Sequence, residues 1–192
     1  MPDSVISTHI FTLPGWQGSG AHHWQMRWAQ LFGDQVVTQH DWMQPLRGDW
    51  VTRLEEAVQN QLSQHPQQGI AFVAHSLGCH LLACWAALSV NVKQVVGALL
   101  VAPPDTTRAE FPPQMHSWRK PILNKLPFKS IVVASSDDPF SSLLASEVLA
   151  QQWGAELINL GARGHINAES GLGDWHEGRA LLQSTFQPTL PY

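Results

Sequence analysis

The sequence predicts an α/β fold: a mainly parallel sheet of about six strands, helices on both faces, no large lid, and one domain over residues 1–192. Three observations carry this. Short apolar runs alternate with stretches of helical period along the whole chain, the pattern of strands joined by crossover helices. Several of those runs are apolar almost throughout, as strands covered on both faces are. The length of 192 residues suits a single domain, and no linker, internal repeat or low-complexity tract divides it.

"THIFTLP" (8–14) reads as a buried strand ending in a turn, and "HHWQMRWAQLF" (22–32) as a helix with Trp24, Trp28, Leu31 and Phe32 on its apolar face. "DQVVTQH" (34–40) is a short strand. A helix then runs from Asp49, a residue type able to cap it, to about His65, with Trp50, Leu54, Ala57, Val58 and Leu62 as its stripe. "GIAFVAH" (69–75) is a strand apolar nearly throughout, followed by a helix from about Leu77 to Leu88. "VVGALLVAP" (95–103) and "KSIVVASS" (129–136) are strands separated by a Pro-rich stretch. A helix over Leu143–Trp153 stops at Gly154, "AELINL" (155–160) is the last strand, and "EGRALLQSTF" (177–186) the last helix.

Composition excludes several classes. Hydrophobic residues make up 44% and charged residues only 14%, which argues against disorder. The net charge is −4 and the basic residues are scattered, so no face is built for nucleic acid. Cys79 and Cys84 lie five apart in one apolar helix and read as buried free thiols, and no CxxC pair supports a zinc site. The stretch "MPDSVISTHIFTL" lacks the basic start and apolar core of a signal peptide, and no apolar run approaches a membrane span. The expected location is the cytoplasm, with no membrane partner.

In parallel sheets function collects just past the carboxyl ends of the strands. After the third strand comes Ala74-His75-Ser76-Leu77-Gly78. A strand that turns sharply into a helix projects the residue at the turn, and the flanking positions two before and two after must be small because the backbones approach closely. Ala74 and Gly78 satisfy that. The helix that follows aims its N-terminus at Ser76, where free N–H groups can hold an oxyanion. After the fifth strand come Asp137 and Asp138, either of which could orient a histidine or start a turn before Pro139. After the sixth come Gly164 and His165. Ser, acid and His each following a strand is the chain order of α/β-hydrolase triads. Asp138 lies 62 residues after Ser76, and His165 lies 27 after Asp138, leaving room for the intervening elements.

Over nearly its full length the chain resembles small serine hydrolases of the retinoblastoma-binding protein 9 / YdeN type. The resemblance rests on "LPGWQGSG", "AHSLGC", "ASSDDPFSS" and "GHINAESG". It implies a triad of Ser76, Asp138 and His165. Ala74 stands where the family often has Gly. Counting from "DDPFSS" to a helix starting at Ser142 favours Asp138 over Asp137, which would brace the loop or cap the helix. In this fold one oxyanion donor is the N–H of the residue after the nucleophile, here Leu77. The other comes from the loop after the first strand, Pro14 to Gly20, where the Trp16 N–H is the candidate. That loop lacks the GK[ST] of a phosphate-binding loop.

Gly15, Trp16 and His75 are the expected substrate-lining residues. Most of the nine tryptophans read as core. The pair His22-His23 has no third ligand at a set spacing, so no metal is expected, and no cofactor. The segment 105–120 is the only insertion long enough to overhang the site. The expected activity is hydrolysis of carboxylic esters, thioesters or amides of small acyl groups, an EC 3.1-type carboxylesterase acting on small molecules. The alternative is a catalytically weak protein-interaction module, its partner unknown. An L-x-C-x-E motif is matched only as Leu77-Gly78-Cys79-His80-Leu81, on a helix expected to be buried. A non-hydrolytic enzyme on the same fold would share the triad.

Overall fold

The computed structural model describes residues 8–186; residues 1–7, which begin the stretch read for a signal peptide, and 187–192 lie outside the described residues. Six strands form one sheet: β1 (His9–Leu13), β2 (Gln35–Val36), β3 (Ile70–His75), β4 (Val95–Val101), β5 (Ser130–Ala134) and β6 (Glu156–Asn159). Every neighbouring pair is parallel, in the order β2-β1-β3-β4-β5-β6. The helices are α1 (Trp24–Phe32), α2 (Arg47–Gln64), α3 (Leu77–Ala86), α4 (Leu143–Trp153) and α5 (His176–Ser184).

The sheet divides the interior in two because successive side chains along a strand point to opposite faces. Phe11, Leu13, Phe72 and Ala74 face α2, α3 and α4. Ile10, Ala71, Val73 and Val101 face α1 and α5, whose Trp24, Trp28 and Leu182 complete that layer. All residues of β3 and β4 are buried, which explains why their sequences show no alternation.

Three local expectations are corrected. Leu31 and Phe32 are 53% and 45% exposed; α1 buries Trp24, Gln25 and Trp28 instead, and Arg179 stacks over Phe32 with its guanidinium carbon 4.4 Å from the ring centroid. The helix expected from Asp49 starts at Arg47, with Leu46 at the cap position making no side-chain bond, so Asp49 sits in the first turn. There its charge still complements the helix dipole. The strand expected over 34–40 shrinks to Gln35–Val36, since it pairs only with β1 and lies at the sheet edge.

The order of strands reverses at β1: the chain leaves β1 for β2 on one side and returns to β3 on the other. Such a switch point opens a crevice at the strand ends, between the loops that leave in opposite directions. Here those loops are the ones after Leu13 and after His75. Residues 105–120 cross nearby and pack down through Phe111, Met115 and Trp118, all buried, with a short 3₁₀ turn over Pro113–Trp118.

Candidate active site

Ser76 occupies a backbone conformation of φ 55° and ψ −124°, in the region that side chains other than Gly avoid. Such a residue costs about 1–3 kcal/mol and persists only where its surroundings hold it. They do so here: the Ser76 N–H donates to the Val101 carbonyl at 2.9 Å, and α3 begins at the next residue. The close approach predicted for the flanks is visible at Gly78, where an added Cβ would overlap the Leu13 carbonyl oxygen. Ala74 is fully buried and fits.

The Ser76 hydroxyl meets His165 Nε2 at 2.9 Å. On the other side of the ring, Nδ1 lies 3.0 Å from both oxygens of Asp138. A carboxylate only accepts, so Nδ1 carries the proton and Nε2 presents its lone pair to the hydroxyl. An imidazole in that tautomer can take the hydroxyl proton as the oxygen attacks, and the carboxylate then stabilises the imidazolium. The side chains of His165 and Asp138 are 11% and 3% exposed, a setting in which such interactions are stronger than in water.

Asp137, the rival acid, points elsewhere. Its Oδ1 accepts from the Ser135 hydroxyl and from the Gly164 N–H, each at 2.7 Å. These bonds, Ser135's first, hold its carboxyl below the usual value. It joins the β5 loop to the β6 loop beside His165, which is the brace of the two roles, brace or helix cap, expected for it.

The His165 loop has further supports that the motif alone does not reveal. His75 Nε2 donates to the His165 carbonyl at 2.9 Å, and its ring packs edge-on 4.9 Å from that of His165. Burial drives the His75 pKa well down, so its ring is neutral. The indole of Trp24 donates to the Ile166 carbonyl at 2.8 Å, Ser135 Oγ accepts from the Arg163 N–H at 2.9 Å, and Phe140 packs edge-on against His165. Ser135 is the one with a sequence signal: a buried Ser directly after a strand needs a partner in the neighbouring loop.

Opposite Ser76 the β1 loop comes so close that a Cβ on Gly15 would lie 2.8 Å from the Ser76 Cβ. Gln17, at φ 67°, turns the loop and donates from its N–H to Trp42 O. The Trp16 indole is tied to the Met43 carbonyl at 3.1 Å. Among the described residues the backbone N–H groups of Trp16 and Leu77 donate to no protein acceptor. A cavity of about 690 Å³ opens over this arrangement, and Gly15, Trp16, His75, Ser76, Leu77 and His165 all line it. Phe111 and Met115 of the 105–120 segment form part of its wall. The volume is that of a site for a small organic ligand.

Other features stay structural. Seven tryptophans, among them Trp50, Trp85 and Trp118, are core. Leu77, Cys79 and Leu81 of the L-x-C-x-E-like stretch are at most 1% exposed, so no partner can read them. Cys79 and Cys84 are buried free thiols, and burial raises both pKa values. Among the described residues no group of three His, Cys, Asp or Glu side chains could hold a metal, and no helix is long and apolar enough to cross a membrane.

Residues 10–184 match the model of a family described as serine hydrolase. No curated protein sequence matches the chain. Among solved structures, a YdeN-like hydrolase of Pectobacterium atrosepticum is 26% identical, with a TM-score of 0.81 over 96% of this chain and 94% of its own. The ydeN product of B. subtilis is 23% identical, with a TM-score of 0.70 over 93% and 98%. Est1E of Butyrivibrio proteoclasticus, solved with ferulic acid bound, shares the fold at 12% identity, with a TM-score of 0.69 over 96% and 92%. With a family match across almost the whole chain and YdeN-like hydrolases among its structural neighbours, the chain belongs to the serine hydrolase family, in its YdeN type.

Proposed function

We propose that this hydrolase is a carboxylesterase acting as a single domain on carboxylic esters, or thioesters or amides, of small acyl groups. Ser76 is the nucleophile, His165 the general base and then general acid, and Asp138 the group that orients and charge-balances the imidazole. The observation that carries this is the unbroken hydrogen-bonded chain from Ser76 Oγ through His165 to Asp138, with Ser76 and His165 lining the cavity. His165 takes the hydroxyl proton as Ser76 attacks the carbonyl. The N–H groups of Leu77 and Trp16 receive the oxyanion, each worth about 10²–10³ in rate. His165 returns the proton to the leaving alcohol, and water attacks the acyl-enzyme by the same route.

The 105–120 segment supports a preference for short acyl chains, because it walls the cavity without covering it. The test combines three measurements. A fluorophosphonate probe labels the wild type and not Ser76→Ala; an unlabelled wild type at neutral pH rejects the reading. Asp138→Asn lowers kcat by about 10⁴, because an amide can present N–H to Nδ1 and invert the tautomer. On p-nitrophenyl esters of rising length, activity declines beyond short chains; a strong preference for long ones contradicts the open site.

A further inference from the structure

We infer that Asp41 is a positioning residue for the oxyanion hole: its carboxylate orients the two peptide carbonyls that grip the β1 loop at Trp16 and Gln17. Its importance for catalysis rests on the reading above, in which the Trp16 N–H receives the oxyanion.

The two oxyanion donors are held by different means. Leu77 opens α3, and Gly78 beside it is wedged against the backbone of Leu13 and Pro14. Trp16 lies in the stretch Pro14 to Gly20, which contains three glycines. Gly15 is pressed against Ser76, where an added Cβ would lie 3.2 Å from the Oγ. The loop's own turn adds a bond from the Gly18 N–H to the Gly15 carbonyl at 3.0 Å. What grips Trp16 from outside the loop is the stretch 41–46, between β2 and α2. The Trp16 indole N–H donates to the Met43 carbonyl and the Gln17 backbone N–H to the Trp42 carbonyl, each at 3.1 Å. The Trp42 ring also lies 3.5 Å from the point where a Cβ on Gly18 would stand.

Those two acceptors belong to successive peptide units. In a trans peptide the C=O and the N–H leave opposite edges of one rigid plane. The N–H groups of the same two units, those of Met43 and Gln44, both donate to Asp41 Oδ1, at 2.7 and 2.9 Å. One carboxylate oxygen therefore fixes the tilt of both planes, and with it the direction of both carbonyls. A charged acceptor on the N–H edge also polarises each unit and strengthens its carbonyl as an acceptor. The base under this clasp is firm. The Asp41 carbonyl accepts from the Trp50 indole at 3.1 Å, and the Pro45 carbonyl from the Trp118 indole at 2.6 Å. Trp50 and Trp118 are each 1% exposed. Asp41 is not among the residues lining the cavity, so its effect on substrate passes through Trp16. An oxyanion donor works by being in place before charge develops, so a loosened clasp costs the transition state and not the bound ester.

The test is a set of variants assayed on p-nitrophenyl acetate. Asp41→Ala frees both planes, and kcat falls about tenfold with KM within about twofold of wild type. Asp41→Asn keeps an acceptor oxygen at the same reach and loses less than about threefold. Inhibition by 1,1,1-trifluorobutan-2-one weakens about as much as kcat falls, because its adduct with Ser76 carries the oxyanion. Trp16→Phe removes only the indole N–H. Its effect is non-additive with Asp41→Ala, since the indole bond has already lost its oriented acceptor. A rise in KM at constant kcat, equal losses for Ala and Asn, or strict additivity overturns the role of Asp41. Where Asp41→Ala fails to fold, Trp16→Phe decides: an unchanged kcat overturns it.

A second measurement does not depend on turnover. In protein with ¹⁵N-labelled tryptophan, the Trp16 indole signal is assigned by its loss in Trp16→Phe. In Asp41→Ala that signal moves upfield in ¹H as the bond to the Met43 carbonyl weakens, and in Asp41→Asn it stays near its wild-type position. A signal unmoved in Asp41→Ala refutes the clasp whether or not the wild type hydrolyses esters. Failure of the fluorophosphonate labelling refutes the esterase reading instead.

Discussion

On the Ser76 side of the cavity, position is set by backbone against backbone. The β1 loop, the end of β3 and the start of α3 meet with no room for a side chain at Gly15 or Gly78. On the His165 side, position is set by side-chain polar atoms. Asp137, Ser135, His75 and Trp24 each bond a backbone group of residues 163–166, and the loop itself is exposed or half-buried apart from Ile166. The two sides therefore have opposite weaknesses. The first fails when volume is added, because backbone cannot move aside cheaply. The second fails when an acceptor or donor is taken away, and its damage is to alignment before stability.

The largest effect that tests this contrast is Gly78→Ala. Its Cβ would overlap the Leu13 carbonyl oxygen and crowd the Leu13 carbon and Pro14 oxygen at 3.0 Å, all of them backbone. Overpacking of a tight site costs about 1–3 kcal/mol, and rigid neighbours put this one at or above the top of that range, about 3 kcal/mol. The urea midpoint should fall accordingly, with the slope unchanged. A loss below about 0.5 kcal/mol would mean that the β1–α3 contact yields, and the contrast between the two sides would lose its basis.

The same contrast explains what could be read from the sequence. The elbow was legible because its demands are steric and local: small residues at 74 and 78 around Ser76 are a statement about volume that the letters carry. The strands were legible because burial on both faces removes polar residues from them, as in "GIAFVAH". That Ser76, Asp138 and His165 come together was legible through strand order, since each follows a strand end. The supports of His165 were not. His75 and Trp24 reach the loop from positions 90 and 142 residues away in the chain, and no spacing rule records such contacts. The exposed Leu31 and Phe32 were misread because helical period shows only that a face is apolar; α1 turns a different arc, through Trp24, Gln25 and Trp28, to the sheet.

A smaller effect comes with pH. Burial holds His23 and His80 to a pKa of about 4, against 6.5 for an unburied histidine, and His75 well below its ordinary value. His80 sits on α3 and donates from Nε2 to the Pro104 carbonyl at 2.8 Å. These rings fold neutral, so the unfolded chain binds more protons than the folded one between about pH 6.5 and 4. Stability is fully present above pH 6.5 and is lost as pH falls toward 4. At pH 5.5 each of His23 and His80 accounts for about 1 kcal/mol. Asp137 behaves differently: its carboxyl is held below 3.8, so its brace stays ionised throughout this window. Acid should thus destabilise the fold through these buried rings while the Asp137 brace stays ionised. Urea midpoints measured from pH 7.5 to 4.5 check this, and a flat profile to pH 5 would remove the buried neutral histidines from the account.

The smallest effect is the most discriminating. Asp137 is exposed, so replacing it should leave the melting temperature almost unchanged. What its carboxylate does is hold the Gly164 N–H and the Ser135 hydroxyl, while Ser135 in turn holds the Arg163 N–H. Removing it frees the segment just before His165, and a displacement well under 1 Å there lengthens the His165–Ser76 bond. Misplacement on that scale costs about tenfold in kcat, far short of the 10⁴ expected for Asp138→Asn. Asp137→Ala should show the full tenfold loss. Asp137→Asn, which retains an acceptor oxygen, should show less, and both should keep the wild-type pH profile because the group that contacts the imidazole is untouched. If instead Asp137→Asn matched or exceeded Asp138→Asn, the orienting acid would be Asp137. The His165 side would then hold its reacting group through a single bond and not through a shared network.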